Sequence, residues 1–267
     1  MADADVDAAN LGLVLRPERL ETHDFTGGSL AIIDPQLCQG CGICEQVCRF
    51  EAILPPSSKS SKGYRVDSIA CDGCAACFYQ CPEQAIRMEA QLAGHWFHSQ
   101  TRYGPLFHAE LRLAQENSGK LVTMVKQQAR LLGLDTGAEL LIVDGPPGIG
   151  CPVISAAAGA DLALIVTEPT LAGIHDMERA LQITGHFHIL SVVCINKADI
   201  YPEGADQIRN YCDEHQIKVM SSIPFDETVT RAMVQGKPVT AYRLATPASR
   251  ALVDLWRQIS ANLLAVS

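Results

Sequence analysis

Eight of the eleven cysteines in this 267-residue chain repeat one spacing. Cys38, Cys41, Cys44 and Cys48 read C-x2-C-x2-C-x3-C, and Cys71, Cys74, Cys77 and Cys81 read the same, followed by Pro82. Three closely spaced thiolates can take three corners of an Fe4S4 cube. The fourth, set beyond a longer gap, does not fold back onto the same cube and reaches a second one. The spacing therefore predicts two [4Fe-4S] sites with exchanged fourth ligands. Cys38, Cys41, Cys44 and Cys81 hold one, and Cys71, Cys74, Cys77 and Cys48 hold the other. Competing chemistries fit less well. Zinc sites are usually built from paired C-x2-C knuckles, and disulfide frameworks belong to small secreted chains. The two runs differ at one position: Arg49 follows Cys48 where Pro82 follows Cys81. Proline stiffens a turn, so the loop near Cys48 is expected to be looser, with no ligand lost.

A second set of polar residues follows apolar runs. ADADVDAANL carries Asp3, Asp5 and Asn10 at the start of the chain, DGPPGIG (144–150) follows ELLIV, and INKAD (195–199) follows LSVVC. An Asp at a strand end can join a magnesium sphere or position water. Glycines such as Gly145 and Gly148 let backbone approach a phosphate, and an Asn amide both donates to and accepts from a base edge. Each signal is weak alone, because a strand-end Asp often only caps a helix and Asn-Lys often only turns the chain. Their order along one chain carries the weight.

The elements that must position these residues fall into two kinds. SLAIID and YRVD, each before a cysteine run, read as short strands. VCRFEAI and QCPEQAI, overlapping the ends of the runs, read as short helical stretches. The pattern is an internal duplication, with the polar loop PPSSKSSKG (55–63) between its halves. Beyond residue 91 an α/β rhythm begins. Leu111–Leu132 has helical periodicity. Buried-strand runs are expected over 139–143, 162–166, 190–195 and 218–223, with helices over 174–185, 205–215 and 246–265. Strands alternating with helices predict an α/β fold with a mainly parallel sheet and ligands at the carboxyl ends of its strands. Hydrophobic residues make up 48% of the chain, enough for a substantial core, and the net charge of −9 argues against a nucleic-acid partner. No apolar run reaches membrane-span length, the acidic N-terminus does not read as a signal peptide, and the expected location is cytoplasmic.

The order D-x-D-x-x-x-A-N-L, inserted cysteine module, D-G-P-P-G, E-P-T, N-K-x-D and I-P-F-D resembles the MinD-type P-loop ATPases carrying an inserted two-cluster ferredoxin domain. ENSGKLV (116–122), DGPPGIGCPV (144–153), TEPT (167–170) and IPFD (223–226) are its most specific parts. The resemblance implies an N-terminal piece of the α/β domain over 1–29, a small α+β ferredoxin-like insert over 30–91 and the rest of the α/β domain over 92–267. It implies Asp5 in switch I acting on the attacking water, Asp3 near magnesium, and Asp144 and Gly148 in switch II. Asn196 would read adenine, with Pro224, Phe225 and Asp226 lining the base pocket. It also implies a homodimer, or a heterodimer with a paralogous ATPase, and ATP with Mg2+ beside the two clusters. The family's phosphate loop, K-G-G-x-G-K-T, does not occur in this sequence. Ser118–Lys120 is no substitute, because Ala114 and Leu121 stand where a P-loop needs Gly and Ser or Thr. Two readings stay open: a truncated sequence, favoured because the other motifs are intact and a lost strand would bare an apolar edge, or a degenerate paralogue. The expected function is electron transfer through two clusters, gated by ATP and delivered to a redox partner, with ATP hydrolysis only where the loop is restored. The alternatives are a non-catalytic electron-transfer scaffold or an iron–sulfur assembly factor. Cys151 reads as a small residue filling a tight helix start, in preference to a reactive thiol. Cys194 and Cys212 read as core.

Overall fold

The computed structural model describes residues 1–56, 63–112 and 118–264. Most of the polar loop between the cysteine runs, and Glu116 and Asn117 of ENSGKLV, lie outside the described residues. In the first part of the chain the elements are β1 (Ala2–Asp3), α1 (Leu11–Leu15), β2 (Glu18–Ile33), α2 (Ile43–Gln46), β3 (Ile53–Leu54), β4 (Arg65–Val66), α3 (Ala76–Gln80), β5 (Ile86–Thr101) and β6 (Gly104–Leu111). There follow α4 (Ser118–Thr136), β7 (Val143–Asp144), α5 (Cys151–Ala157), β8 (Leu162–Thr167), α6 (Leu171–His186) and β9 (Leu190–Asn196). The last are α7 (Pro202–Glu214), β10 (Lys218–Ile223), α8 (Glu227–Val234), α9 (Val239–Tyr242) and α10 (Pro247–Leu264). These elements make two compact units. One comprises residues 1–22, 97–109 and 118 onward, and the other residues 23–96 and 110–117.

The larger unit is the α/β body. β8, β9 and β10 form a parallel sheet in the order β10-β9-β8, with Leu164 opposite Val192 and Val193 opposite Val219. Because side chains alternate across a strand, Val193 and Ile195 face one layer and Val192 and Cys194 the other. The first pair packs with Met177 and Leu181 of α6 and with Ile208 and Cys212 of α7. The second packs with Met220, Ile223 and, from α10, Leu255 and Ile259. Cys194 and Cys212 are thus core residues, and burial pushes both thiols up to about 11.

In the same unit β1 pairs in parallel with β6 (Ala2 opposite Phe107) and with β7 (Ala2 opposite Val143, Asp3 opposite Asp144). The expected strand over 139–143 contracts to Val143–Asp144, because its partner β1 is two residues long. Leu140 and Ile142 are left exposed. α5 joins β7 to β8, yet the two strands pair in different sheets, and among the described residues each is an edge. The β8 edge bares apolar surface, with Val166 57% exposed.

The smaller unit holds the cysteine runs. β3 and β4 pair antiparallel, with Ile53 opposite Val66. The expected helical stretches are shifted: the turns are α2 and α3, ahead of Cys48 and Cys81. After each of these cysteines, Glu51 and Gln84 take left-handed backbone (φ 52 and 50), which ends helical winding. Apolar side chains Ala31, Ile53 and Ile86 pack with Cys44 and Cys77 into one small core.

Candidate functional site

The duplication in the smaller unit is exact in register. An offset of 33 residues carries Cys38 onto Cys71 and Cys48 onto Cys81. Asp34 and its counterpart Asp67 open the two runs in the same way. The Asp34 carboxylate accepts the Gln36 N–H (2.8 Å), and that of Asp67 accepts the Ile69 N–H (2.9 Å). Their carbonyls accept the Cys38 and Cys71 N–H groups, both at 3.0 Å. Their own amides cross over. The Asp34 N–H donates to the Ala85 carbonyl and the Asp67 N–H to the Ala52 carbonyl, both at 2.8 Å. That exchange brings the end of each run beside the start of the other.

Two cavities result, of about 330 and 320 Å³ including the space open to solvent. Cys38, Cys41, Cys44 and Cys81 line the first, and Cys48, Cys71, Cys74 and Cys77 line the second. The structure therefore brings together the two sets of four that the spacing groups. Among the described residues, no three His, Cys, Asp or Glu side chains are placed to hold a single metal ion. A tetrahedral zinc site draws its sulfurs to about 2.3 Å from one centre. Thiols set around a cavity fit a larger polynuclear group. Each crossed-over thiol also accepts a backbone N–H, Cys48 from Ala52 and Cys81 from Ala85, both at 3.3 Å. Sequence reasoning did not find these donors, although the repeat offset marks both alanines. The loop after Cys48 keeps the contact that Cys81 makes, so Arg49 has not loosened it. Burial, and then the neighbouring Cys38 and Cys41, push the Cys44 thiol up to about 11, and burial raises Cys77 as well. Cys41 and Cys74 are exposed.

Gly73 shows why the second run cannot take another residue there. Its φ is +72°, and a Cβ would lie 2.1 Å from the Ser29 carbonyl oxygen. The turn lies directly on β2 backbone.

In the larger unit, Asp3 and Asp144 are register partners at the carboxyl ends of adjacent parallel strands. Asp3 is 1% exposed. Its carboxylate accepts the Asp5 and Leu11 N–H groups, each at 3.2 Å. Burial raises its pKa against the opposing pull of those donors. Asp144 is raised by burial and then by the charges of Asp3 and Asp5. The three carboxylates expected at a phosphate and magnesium site therefore stand close enough to repel. Gly148 turns the following loop at φ +90°, while Gly145 sits 3.9 Å from Ala156 by its would-be Cβ, an ordinary contact.

The residues expected around a base also follow strand ends. Asn196 closes β9, and its side-chain oxygen accepts the Lys197 N–H at 3.1 Å. Pro224 follows β10, and Phe225 is half exposed. Asp226 caps α8, accepting the Thr228 N–H at 2.8 Å and the Ala248 N–H at 3.4 Å. The Thr228 bonds hold its carboxyl below the usual range. The loops are stapled by two contacts that sequence reasoning did not assign. Lys197, at φ 52°, pairs with Glu168 at 2.7 Å, and the Asp199 carboxylate accepts the Phe225 N–H at 2.7 Å. Cys151 is exposed at the start of α5, where Gly119 leaves room for its Cβ.

Comparison with known proteins assigns both units. The ParA family model, described as NUBPL iron-transfer P-loop NTPase, matches residues 123–260. A 4Fe-4S dicluster domain matches residues 37–86. Uncharacterized protein MJ0578 of Methanocaldococcus jannaschii is 32% identical over 229 residues, covering 86% of this chain and 74% of that protein. The cytosolic Fe-S cluster assembly factor Nubp1 homolog of Drosophila grimshawi is 28% identical over 129 residues, 40% of this chain and 42% of that protein. Among solved structures, the Pyrococcus furiosus cell division ATPase MinD aligns with a TM-score of 0.50 at 15% identity, over 97% of this chain and 84% of that one. That likeness concerns the fold. Among the described residues no helix is long and apolar enough to cross a membrane.

Proposed function

We propose, from the premise that this chain belongs to the ParA family of P-loop NTPases and carries a 4Fe-4S dicluster domain, that it is an electron-transfer protein whose delivery of electrons is gated by nucleotide. The observation that carries the reading is the pair of cavities, each lined by three thiols of one run and the fourth of the other. Two [4Fe-4S] clusters bound there would supply two one-electron couples. Cys38, Cys41, Cys44 and Cys81 would hold one, and Cys71, Cys74, Cys77 and Cys48 the other. Four protein ligands per cluster, with Cys44 and Cys77 buried in the apolar core, favour retention over release. The Ala52 and Ala85 amides aim at sulfur, where they stabilise thiolate charge.

The gating half of the proposal rests on Asp3, Asp5 and Asp144. Asp3, buried, and Asp5 and Asp144, partly buried, are carboxylates at or just beyond strand ends whose repulsion the cation of a Mg2+-nucleotide would relieve. Asp5 and Asp144 would orient water and magnesium, and Asn196 with Pro224–Asp226 would take the base. A triphosphate also needs a cradle of backbone N–H groups. The unpaired edges of β7 and β8, joined through α5, are where a further parallel strand bearing such a loop would hydrogen-bond. The working form in this reading is a dimer closed over two nucleotides.

A second reading is cluster transfer to another protein. The description of the family as iron-transfer and the name of the Drosophila grimshawi relative favour it, as does the exposure of Cys41 and Cys74, one thiol of each set. One experiment separates the two. The protein is reconstituted anaerobically with iron and sulfide, then mixed with an apo-ferredoxin acceptor and, separately, reduced with dithionite and mixed with an electron acceptor, with and without Mg-ATP. Electron delivery that depends on ATP, with iron kept by this chain, supports the proposal. Iron passing to the apo-acceptor replaces it with the second reading, and colourless protein defeats both.

A further inference from the structure

The two cysteine cavities are built by one repeated unit, so the places where they differ are informative. Their thiols correspond one to one under the 33-residue offset, and each crossed-over sulfur accepts its N–H at the same 3.3 Å. Hydrogen bonding to sulfur is a main determinant of a cluster's potential, and at these positions it is matched. The surroundings are not. Tyr64 lines the first cavity, and the offset places Ala31 at the corresponding point of the second. Glu83 lines the first and Phe50 the second. Glu45, beside Cys44, hydrogen-bonds the Tyr64 hydroxyl, and its counterpart is Phe78. One exchange runs the other way, with Gln39 at the first cavity and Asp72 at the second. The two linings thus carry one carboxylate each, Glu83 and Asp72, and Glu45, exposed beside Cys44 and bonded to the Tyr64 hydroxyl, adds a second carboxylate at the first cavity where the exposed Phe78 stands at the second.

The backbone is adapted to this difference. Gly42 has φ +78°, and a Cβ there would lie 3.0 Å from the Tyr64 hydroxyl oxygen. Its counterpart Ala75 takes the same left-handed backbone (φ 62°) with a side chain. Ala31 and Ala75 both line the second cavity, which has no phenol at this point. Glycine at 42 thus makes space for the tyrosine that anchors Glu45.

Reduction adds one negative charge to a cluster, and a nearby carboxylate opposes it through Coulomb repulsion. We propose that the Glu45–Tyr64 pair makes the cluster of Cys38, Cys41, Cys44 and Cys81 the harder one to reduce, so that the first electron to enter settles in the cavity of Cys71, Cys74, Cys77 and Cys48. The charge of Glu45 sets the order, and Tyr64, which lines the cavity, holds that carboxylate by hydrogen bond. The inference rests on the cluster-holding reading given under Proposed function, and iron content tests that reading separately.

The test uses the full chain with both clusters, titrated anaerobically with dithionite, each cluster taking one electron from it, and followed by EPR. The wild type is expected to reduce in two separate steps. Glu45→Gln moves the lower-potential step upward and leaves the upper step in place. Tyr64→Phe moves the same step. Asp72→Asn moves only the upper step. The proposal is overturned if Glu45→Gln shifts the upper step, both steps equally, or neither. It is also overturned if Glu45→Gln and Tyr64→Phe both shed iron, since the pair would then be structural. A wild type that binds no iron defeats the underlying reading, whatever the variants do.

Discussion

The cysteine cavities and the carboxylates around Asp3 handle like charge in opposite ways. Around the cavities, each crossed-over sulfur has a backbone donor, and the two halves close on each other through the Asp34 and Asp67 amides. The opening turns and the contacts to the crossed-over sulfurs are present twice, so each can be checked against its copy. Around Asp3, three carboxylates meet, and burial and mutual charge raise Asp144. Only Asp3 gathers two donors among the bonds described for these three carboxylates. The first region is organised by its own backbone. The second carries a charge imbalance that a bound cation would remove. In the function proposed above, the first arrangement meets its ligand with donors already in place, and the second with a repulsion that the ligand would relieve.

The largest effect that sharpens this contrast is loss of a crossed-over ligand. Cys81→Ser is expected to remove the cluster of the first cavity and spare the second, halving iron from about eight to about four atoms per chain. Cys48→Ser should do the same at the other cavity. Iron and sulfide analysis with EPR of the remaining cluster reads the result. If Cys81→Ser instead removes the second cluster and spares the first, the exchange of fourth ligands is wrong.

Next come two glycines, one in each region. Gly73→Ala places a methyl group against the Ser29 carbonyl at a left-handed position, and should cost more than about 3 kcal/mol and weaken the second cluster. Gly148→Ala faces open space, so only the left-handed backbone penalty of about 1–2 kcal/mol applies. Urea midpoints of the two variants give the comparison, and equal losses would mean that the tight turn under Gly73 is not rigid.

The difference in legibility between the regions has the same origin. Cysteine identity and spacing point directly to the two sets of four that line the cavities, because thiolate chemistry leaves few alternatives for C-x2-C-x2-C-x3-C. The strands over 162–167, 190–196 and 218–223 were legible because a parallel strand buried on both faces is apolar throughout. β7 misled for the opposite reason. ELLIV has the composition of a buried strand, but ladder length is set by the partner, and β1 offers two residues. The helical stretches of the cysteine runs were misplaced because Glu51 and Gln84 take left-handed backbone that their side chains do not announce. Staples such as Lys197–Glu168 and Asp199–Phe225 depend on loops meeting in space, which spacing along the chain does not encode.

Asp144→Asn tests the repulsive side of the contrast. Because the folded state raises Asp3 and Asp144 above their ordinary value near 3.8, it holds protons more tightly than the unfolded chain. Their contribution is therefore full below about pH 4 and is lost as pH rises through the raised folded values. Asp144→Asn should stabilise the nucleotide-free protein at neutral pH by about 1 kcal/mol and flatten the decline in stability above pH 4. Thermal midpoints across pH 4–8 measure both. A variant less stable than wild type at pH 7 would show that the Asp144 carboxylate is already balanced by donors.

The smallest expected effect asks whether the two halves of the cysteine unit are interchangeable. Pro82 follows Cys81, and Arg49, which is exposed, occupies the same point after Cys48. No described backbone hydrogen bond outside regular elements uses the Arg49 N–H, so proline there removes no donor the turn needs. Arg49→Pro should restrict the unfolded chain and stabilise the unit by about 0.5 kcal/mol. The Ala52 N–H contact to Cys48 should stay intact and the potential of the second cluster close to wild type. Urea denaturation of the iron-loaded protein gives the first quantity and redox titration the second. Destabilisation by more than about 1 kcal/mol would mean that the backbone after Cys48 departs from the proline-compatible path of its copy, and that the correspondence between the halves ends at the sulfur.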